Sequence, residues 1–295
     1  MTQPAALGPR YAKGHGTEND FVILDDPDGL LEISAGLVAA LCDRQGGLGA
    51  DGVLRVVRTA AFATDGASPA TLAGAVEHPA AAAPATEWFM DYRNADGSIA
   101  EMCGNGIRVY ARYLLTAGYA ASGRLRLGTR AGTREVDIPA QGDISVAMGV
   151  PTLLDVQATV VGRPVTAVSL GNPHAVVELD GAADPLAALD LRRPPDIDPV
   201  DAFPEGVNVE FVVRCGPGQL ALRVHERGVG ETRSCGTGVC AAAFALSGGE
   251  PGRWTVDVPG GRLQVTLDAA GAMLCGPAVL VATGHIDPTW WEEHA

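Results

Sequence analysis

Short apolar runs of four to seven residues, set between Gly, Pro and Asp, recur along the whole chain. Phe21–Leu24, Val53–Val57, Trp88–Tyr92, Arg124–Leu127, Glu135–Ile138 and Ile144–Met148 fall in the first half. Ala175–Glu178, Val207–Val213, Leu220–Val224, Thr255–Val258, Leu263–Leu267 and Ala278–Ala282 fall in the second. Their β-branched content and turn punctuation predict strands. Three stretches follow the helical period instead. Leu30–Leu41 is the first, with Asp28 and Ser34 as candidate caps. A second starts at Cys103 and spaces Ile107, Tyr110, Ala111, Leu114 and Leu115 along one face. A third starts at Cys235 with Val239, Ala242, Ala243 and Leu246 in the same phase. Gly118 and Gly248 are placed to end these two helices.

The two later helices open on the same words. Cys103-Gly-Asn-Gly-Ile aligns with Cys235-Gly-Thr-Gly-Val at an offset of 132 residues, close to half of the 295-residue chain. In that register Ala111 meets Ala243 and Leu114 meets Leu246. A repeat on this scale predicts two similarly built halves, since solenoid periods run only about 20–50 residues. Between the strand-like runs, Thr59–Glu87 is rich in Ala, Pro, Thr and Gly and lacks an amphipathic period. It reads as a surface insertion.

Composition narrows the function classes. With 21 basic against 35 acidic residues the net charge is −14. A nucleic-acid partner is disfavoured, because binding a polyanion requires clustered Lys and Arg. No apolar run approaches the roughly 20 residues of a membrane span, and Met1–Phe21 has no apolar leader core, so a cytoplasmic protein is expected. The six cysteines are too scattered for a disulfide framework and are expected as reduced thiols.

A cysteine followed by glycines at a helix start has defined chemistry. The helix N-terminus presents unsatisfied N–H groups and a partial positive charge, which favours a thiolate. Glycines let an anion approach those amides closely. Two such turns acting on one α-carboxylate suit racemisation: one thiolate takes the α-proton while a thiol returns a proton on the opposite face. Three other readings stay open on the residues alone. The cysteines can be inert core residues; Cys235 and Cys240 can be written with His225 or His174 as zinc ligands; or one thiol can serve as a hydrolase nucleophile with His174 as base.

Longer motifs then carry a resemblance. Asn94-Ala-Asp-Gly-Ser98 with Glu101-Met-Cys-Gly-Asn-Gly106, and His225-Glu-Arg-Gly-Val-Gly-Glu-Thr-Arg-Ser-Cys-Gly-Thr-Gly238, resemble the two signatures of the diaminopimelate epimerase family. Lys13-Gly-His-Gly-Thr-Glu-Asn-Asp-Phe21, Gly49-Ala-Asp-Gly52, Gly171-Asn-Pro-His174 and Gly206-Val-Asn-Val209 follow in the family's order. The resemblance implies PLP-independent interconversion of LL- and meso-diaminopimelate, in lysine and peptidoglycan precursor synthesis, with no cofactor and no metal. Cys103 and Cys235 become the acid–base pair. Gly104, Asn105, Gly236 and Thr237 hold the reacting carboxylate, and Asn19, Asn94, Asn172, Asn208, Glu226 and Arg227 line the substrate site. His174 and Glu226 tune the thiols.

The same resemblance implies an α/β (α+β type) fold of two pseudo-symmetric halves, each a curved, mostly antiparallel sheet around a central helix. The expected halves are residues 1–148 with a return segment 281–295, and residues 149–280, in a homodimer. Two positions depart from the family pattern: Gly52, near which some members carry glutamine, and His225, often tyrosine. Proline racemase and hydroxyproline epimerase share the fold and chemistry, but Asn105 in place of a histidine, together with Glu226–Arg227, favours diaminopimelate. A phenazine-biosynthesis-type isomerase lacks the cysteine pair, and a non-catalytic amino-acid-binding protein has no use for two thiols.

Overall fold

The computed structural model describes residues 7–64, 86–180 and 184–295. All twelve strand-like runs are strands. The additional strands, such as Arg10–Gly16 and Gly271–Gly276, are too short of β-branched residues or too glycine-rich to announce themselves.

The chain divides into two compact units. One comprises residues up to Gly16, Asp20–Ile144 and Ala278–Ala295; the other comprises Thr17–Asn19 and Ser145–Pro277. Strand Ile144–Gly149 pairs with Gly271–Gly276, which draws residues from Ser145 onward into the second unit.

Each unit repeats one strand pattern. In the first, Asn19–Asp25 runs parallel to Gly52–Arg58, which is antiparallel to Trp88–Asn94. That strand is parallel to Gly123–Thr129, which is antiparallel to Gly132–Ile138. In the second, Pro173–Glu178, Asn208–Gly216, Gln219–Glu226, Gly252–Val258 and Gly261–Asp268 alternate parallel and antiparallel in the same order. A parallel pair needs a crossover, and in both units a helix supplies it. Gly104–Thr116 links Trp88–Asn94 to Gly123–Thr129; Gly236–Ser247 lies between Gln219–Glu226 and Gly252–Val258. The repeat seen in ten residues of sequence is therefore a repeat of topology.

Both helices are enclosed by strands. Gly104–Thr116 packs on Arg10–Gly16, Val279–His285, Gly132–Ile138, Gly52–Arg58 and Trp88–Asn94. Ile107, Val109, Tyr110, Ala111 and Leu114 are fully buried, and so are Asn105 and Arg108, so the helix is enclosed around most of its circumference although only part of that surface is apolar. Ile107, Val109 and Leu114 each contribute roughly 1.5–3 kcal/mol through burial of an aliphatic side chain. Gly248 ends the other helix at φ +67°, a left-handed conformation that glycine adopts without strain.

Two expectations are corrected. The first helix is Ala35–Cys42, not Leu30–Leu41. Ser34 caps it, its Oγ accepting from Leu37 N at 3.0 Å. The preceding backbone is claimed by other side chains. Asp26 accepts from Leu30 N (2.8 Å) and Leu31 N (3.1 Å), Arg55 donates to Leu31 O (3.1 Å), and Arg93 donates to Ile33 O (2.6 Å). Residues whose amides and carbonyls are bound this way cannot join a helical ladder. The second correction concerns Thr59–Glu87. Thr59–Thr64 is a short helix whose Phe62 stacks on Phe89 with centroids 4.2 Å apart. Residues 65–85 of that proposed insertion lie outside the described residues.

Asp26 is 4% exposed and also receives Arg55 Nε–H at 2.7 Å. Asp26→Ala removes the nearest carboxylate from a buried guanidinium, with Leu31 O at 3.1 Å and Asp91 at 3.9 Å still beside it, and is expected to lower the unfolding free energy by about 3 kcal/mol. Guanidinium-induced unfolding checks this; a loss well under about 1 kcal/mol contradicts it.

Candidate active site

The two cysteine turns have one geometry. Cys103 is the N-cap of its helix at φ −136°, ψ 123°, and its Sγ accepts from Gly106 N at 3.4 Å. Cys235 is the N-cap of the other at φ −118°, ψ 114°, and its Sγ accepts from Gly238 N at 3.4 Å. N-caps are ordinarily Ser, Thr, Asp or Asn, whose oxygens take an amide of the first turn. Here sulfur takes that place twice. An extended cap followed immediately by glycine leaves the next amides of the turn open to a bound anion.

Around Cys103, the first unit places Gly104 and Asn105, both buried. Arg108 is fully buried one turn along and folds back on them, donating to Gly104 O and Asn105 Oδ1, each at 3.0 Å. The Asn105 amide is thus oriented by its own helix. Asn94 stands at the end of its strand, and its Nδ2–H donates to Ser98 Oγ at 2.9 Å within the Asn94–Ser98 turn. No contact joins Asn94 to the Cys103 turn among the described hydrogen bonds. Gly52 has no space for a side chain: a Cβ there would lie 2.6 Å from Arg93 O.

The second unit gathers more of the predicted set. His174 is fully buried; its Nδ1 lies 2.7 Å from Glu210 Oε1 and its Nε2 lies 3.1 Å from Asn172 Oδ1. Both ring nitrogens thus face oxygen atoms, which fixes the orientation of the ring. Asn172 reaches the Cys235 helix through Thr237 Oγ1 at 3.5 Å, and Thr237 Oγ1 is 3.4 Å from Cys235 Sγ. Asn208 Oδ1 accepts the Arg227 amide at 2.9 Å, and its Nδ2–H donates to Pro173 O at 3.3 Å. Arg227 is exposed and donates from Nη1 to Glu205 O at 2.9 Å, its stem lying over Gly206. Glu226 accepts a hydrogen bond from Thr232 Oγ1. Asn19 belongs with this unit, in a turn where Thr17 Oγ1–H donates to Ser234 Oγ, beside Cys235, at 2.7 Å. His225 turns away, donating Nδ1–H to Leu191 O at 2.9 Å. Among the described residues, no group of three His, Cys, Asp or Glu is placed to hold a metal ion.

Glu210 escaped the sequence reading. Its strand, Asn208–Gly216, alternates Val209, Phe211 and Val213 toward an apolar core with Asn208 and Glu210 on the other face. A lone carboxylate inside a run of buried residues was the available signal.

The electrostatics of Cys235 reverse one expectation. Its thiol is pushed well above the usual thiol range, first by burial and then by the Glu226 and Glu210 carboxylates; the Thr237 hydroxyl and Gly238 amide oppose the rise without offsetting it. A helix N-terminus favours the thiolate, but desolvation and two carboxylates outweigh it. Glu226 is itself raised above 4.5, by burial first and then by Glu210, against hydrogen bonds from Thr232 and Cys235 and the charge of His174.

The arrangement defines a protein class first. The fold is shared with the phenazine biosynthesis protein of Bacillus anthracis (TM-score 0.64, 15% identity, covering 95% of this chain and 99% of that one). It is shared equally with a hydroxyproline epimerase from Agrobacterium vitis (TM-score 0.63, 13% identity, covering 98% and 96%). Sequence comparison then goes further. The profile of the family described as diaminopimelate epimerase matches residues 11–154 and 166–284. The diaminopimelate epimerase of Thermobifida fusca is 53% identical over 281 residues, covering 94% of this chain and 97% of its own length. That of Streptomyces coelicolor is 50% identical over 301 residues, covering 96% of each. The chain belongs to the diaminopimelate epimerase family.

The Glu226 shift has a testable consequence. Because its folded pKa lies above its ordinary value, the stability linked to it is complete below about pH 4.5 and is lost as pH rises through the raised value. Glu226→Gln is expected to melt like the parent near pH 4.5 and a few degrees higher at pH 8. Calorimetry across that range checks it; a constant gap, or a gap that closes as pH rises, contradicts the sign.

Proposed function

We propose that this chain interconverts LL- and meso-2,6-diaminopimelate without a cofactor, using Cys103 and Cys235 as its acid–base pair. One observation carries the mechanism: the same sulfur-capped, glycine-opened helix start is built twice, from two distant parts of the chain. A thiolate at one turn takes the α-proton, and the thiol at the other gives a proton to the opposite face of the carbanion. Charge that develops on the α-carboxylate is met by the amides after each cysteine, with Gly104, Asn105, Gly236 and Thr237 nearest. The roles of the sulfurs exchange when the reaction runs backward.

The remaining residues suit a substrate with two amino-acid ends. Arg227 spends one N–H on Glu205 O and keeps others for a distal carboxylate. Glu226 offers a carboxylate to an ammonium, while Asn19, Asn94, Asn172 and Asn208 supply amides for both ends. His174, tied to Asn172 and through it to Thr237, tunes the Cys235 side. Activity through free thiols fits the reducing cytoplasm, where we place the protein. No helix among the described residues is long and apolar enough to cross a membrane.

The test is solvent deuterium exchange at the α-carbon of LL-diaminopimelate, with proline as the comparison, using reduced protein. Exchange with diaminopimelate and none with proline is expected, and Cys103→Ala and Cys235→Ala should each lower epimerisation by at least about 10³-fold, as loss of an essential proton-transfer group does. No exchange with either compound overturns the function, and full turnover by either variant overturns the two-base scheme. We also propose a homodimer. Analytical ultracentrifugation is expected to give twice the chain mass, and a single-chain mass at micromolar concentration contradicts it.

A further inference from the structure

Glu210 belongs to none of the sequence motifs, yet it stands at the centre of the second unit's polar residues. It is fully buried, as is His174, whose Nδ1 it holds at 2.7 Å. It also occupies the space beside the Cys235 helix where a side chain at Gly238 would go: a Cβ there would lie 2.4 Å from Glu210 Oε1 and 3.1 Å from its Cδ. Its second oxygen, Oε2, is enclosed and has no hydrogen-bond partner among the described residues. A buried carboxylate with an unmade hydrogen bond is costly, and a structural role in binding His174 needs only one oxygen.

We propose that Glu210 is a positioning residue for the reaction at Cys235, fixing the His174 ring through Nδ1 and holding a carboxylate against the first turn of the helix that Cys235 caps. This rests on the reading of Cys235 as an acid–base group. Among the charged groups of the second unit, those that face this sulfur come from separate strands. Glu226 ends Gln219–Glu226, Glu210 lies in Asn208–Gly216, and His174 of Pro173–Glu178 acts through Glu226 and Glu210. The helix N-terminus and the Gly238 amide pull toward the thiolate. The two carboxylates pull toward the thiol, as like charges beside an ionising group do. Gly238 is required at the third helical position because the Glu210 carboxylate fills that volume, so the Cys-Gly-x-Gly turn is here matched to a partner on a neighbouring strand.

The experiment measures how the rate of iodoacetamide alkylation at Cys235 depends on pH, by peptide mass mapping, in the parent protein and in Glu210→Gln. Gln preserves shape and removes the charge. The alkylation midpoint is expected to move to lower pH by about 1 unit, the lower end of what a neighbouring like charge produces. Cys240, fully buried within the same helix, reports integrity and should stay unlabelled. An unchanged midpoint with Cys240 protected overturns the proposal. If Glu210→Gln exposes Cys240, Gly238→Ala asks the same question, since its Cβ forces the carboxylate away; the same downward shift is expected, and its absence overturns the assignment. A shifted midpoint in a chain that epimerises nothing keeps Glu210 and removes the proposed function. Epimerisation without the shift does the reverse.

Discussion

The first turn of an enclosed helix has amide hydrogens that neither water nor the helix itself can satisfy, and much of this molecule is arranged around that constraint. In each unit the strands close around the central helix, so its start needs a partner from within the chain. A cysteine sulfur takes the third-residue amide at 3.4 Å in both units. The glycine at the third helical position follows from crowding: a Cβ at Gly238 would meet Glu210, and one at Gly106 would press on Leu54 and Phe21. Capping, packing and chemistry are thus met by the same few atoms.

Although the turns are alike in backbone, their surroundings differ. Behind Cys103 the helix folds a buried guanidinium, Arg108, back onto Gly104 and Asn105. Behind Cys235 sit two carboxylates, Glu210 and Glu226, and a histidine bound to one of them. The proposed two-base scheme requires one sulfur with a proton and one without, and charges of opposite sign beside two copies of one turn are a physical means of breaking their equivalence. The repeated topology supplies the like turns, and the neighbouring side chains supply the difference.

Much of the fold was legible because its signals are local. Val53–Val57, a valine-rich run, and Leu263–Leu267, which alternates apolar and polar residues, need no distant partner to be recognised. Both helix starts were placed because cap, glycines and apolar phase lie within a dozen consecutive residues. The failures have one origin. Leu30–Ile33 fits the helical period of the residues that follow, but Asp26, Arg55 and Arg93 bind its backbone groups from elsewhere in the unit. Glu210 passed unnoticed because a single acid in an apolar strand has no meaning until His174 and Gly238 are brought to it.

By itself, then, the order of residues determined the two cysteine turns, the helices they begin and the family to which the chain belongs. Those properties are written in contiguous residues, where hydrogen bonding and side-chain period act over one or two turns. Only the tertiary structure decided how the Cys235 thiol ionises. A helix N-terminus read in isolation favours the thiolate, whereas burial and two carboxylates from separate strands raise the thiol instead. Desolvation and charge act through space, and no stretch of sequence records which distant groups the fold will place beside a sulfur.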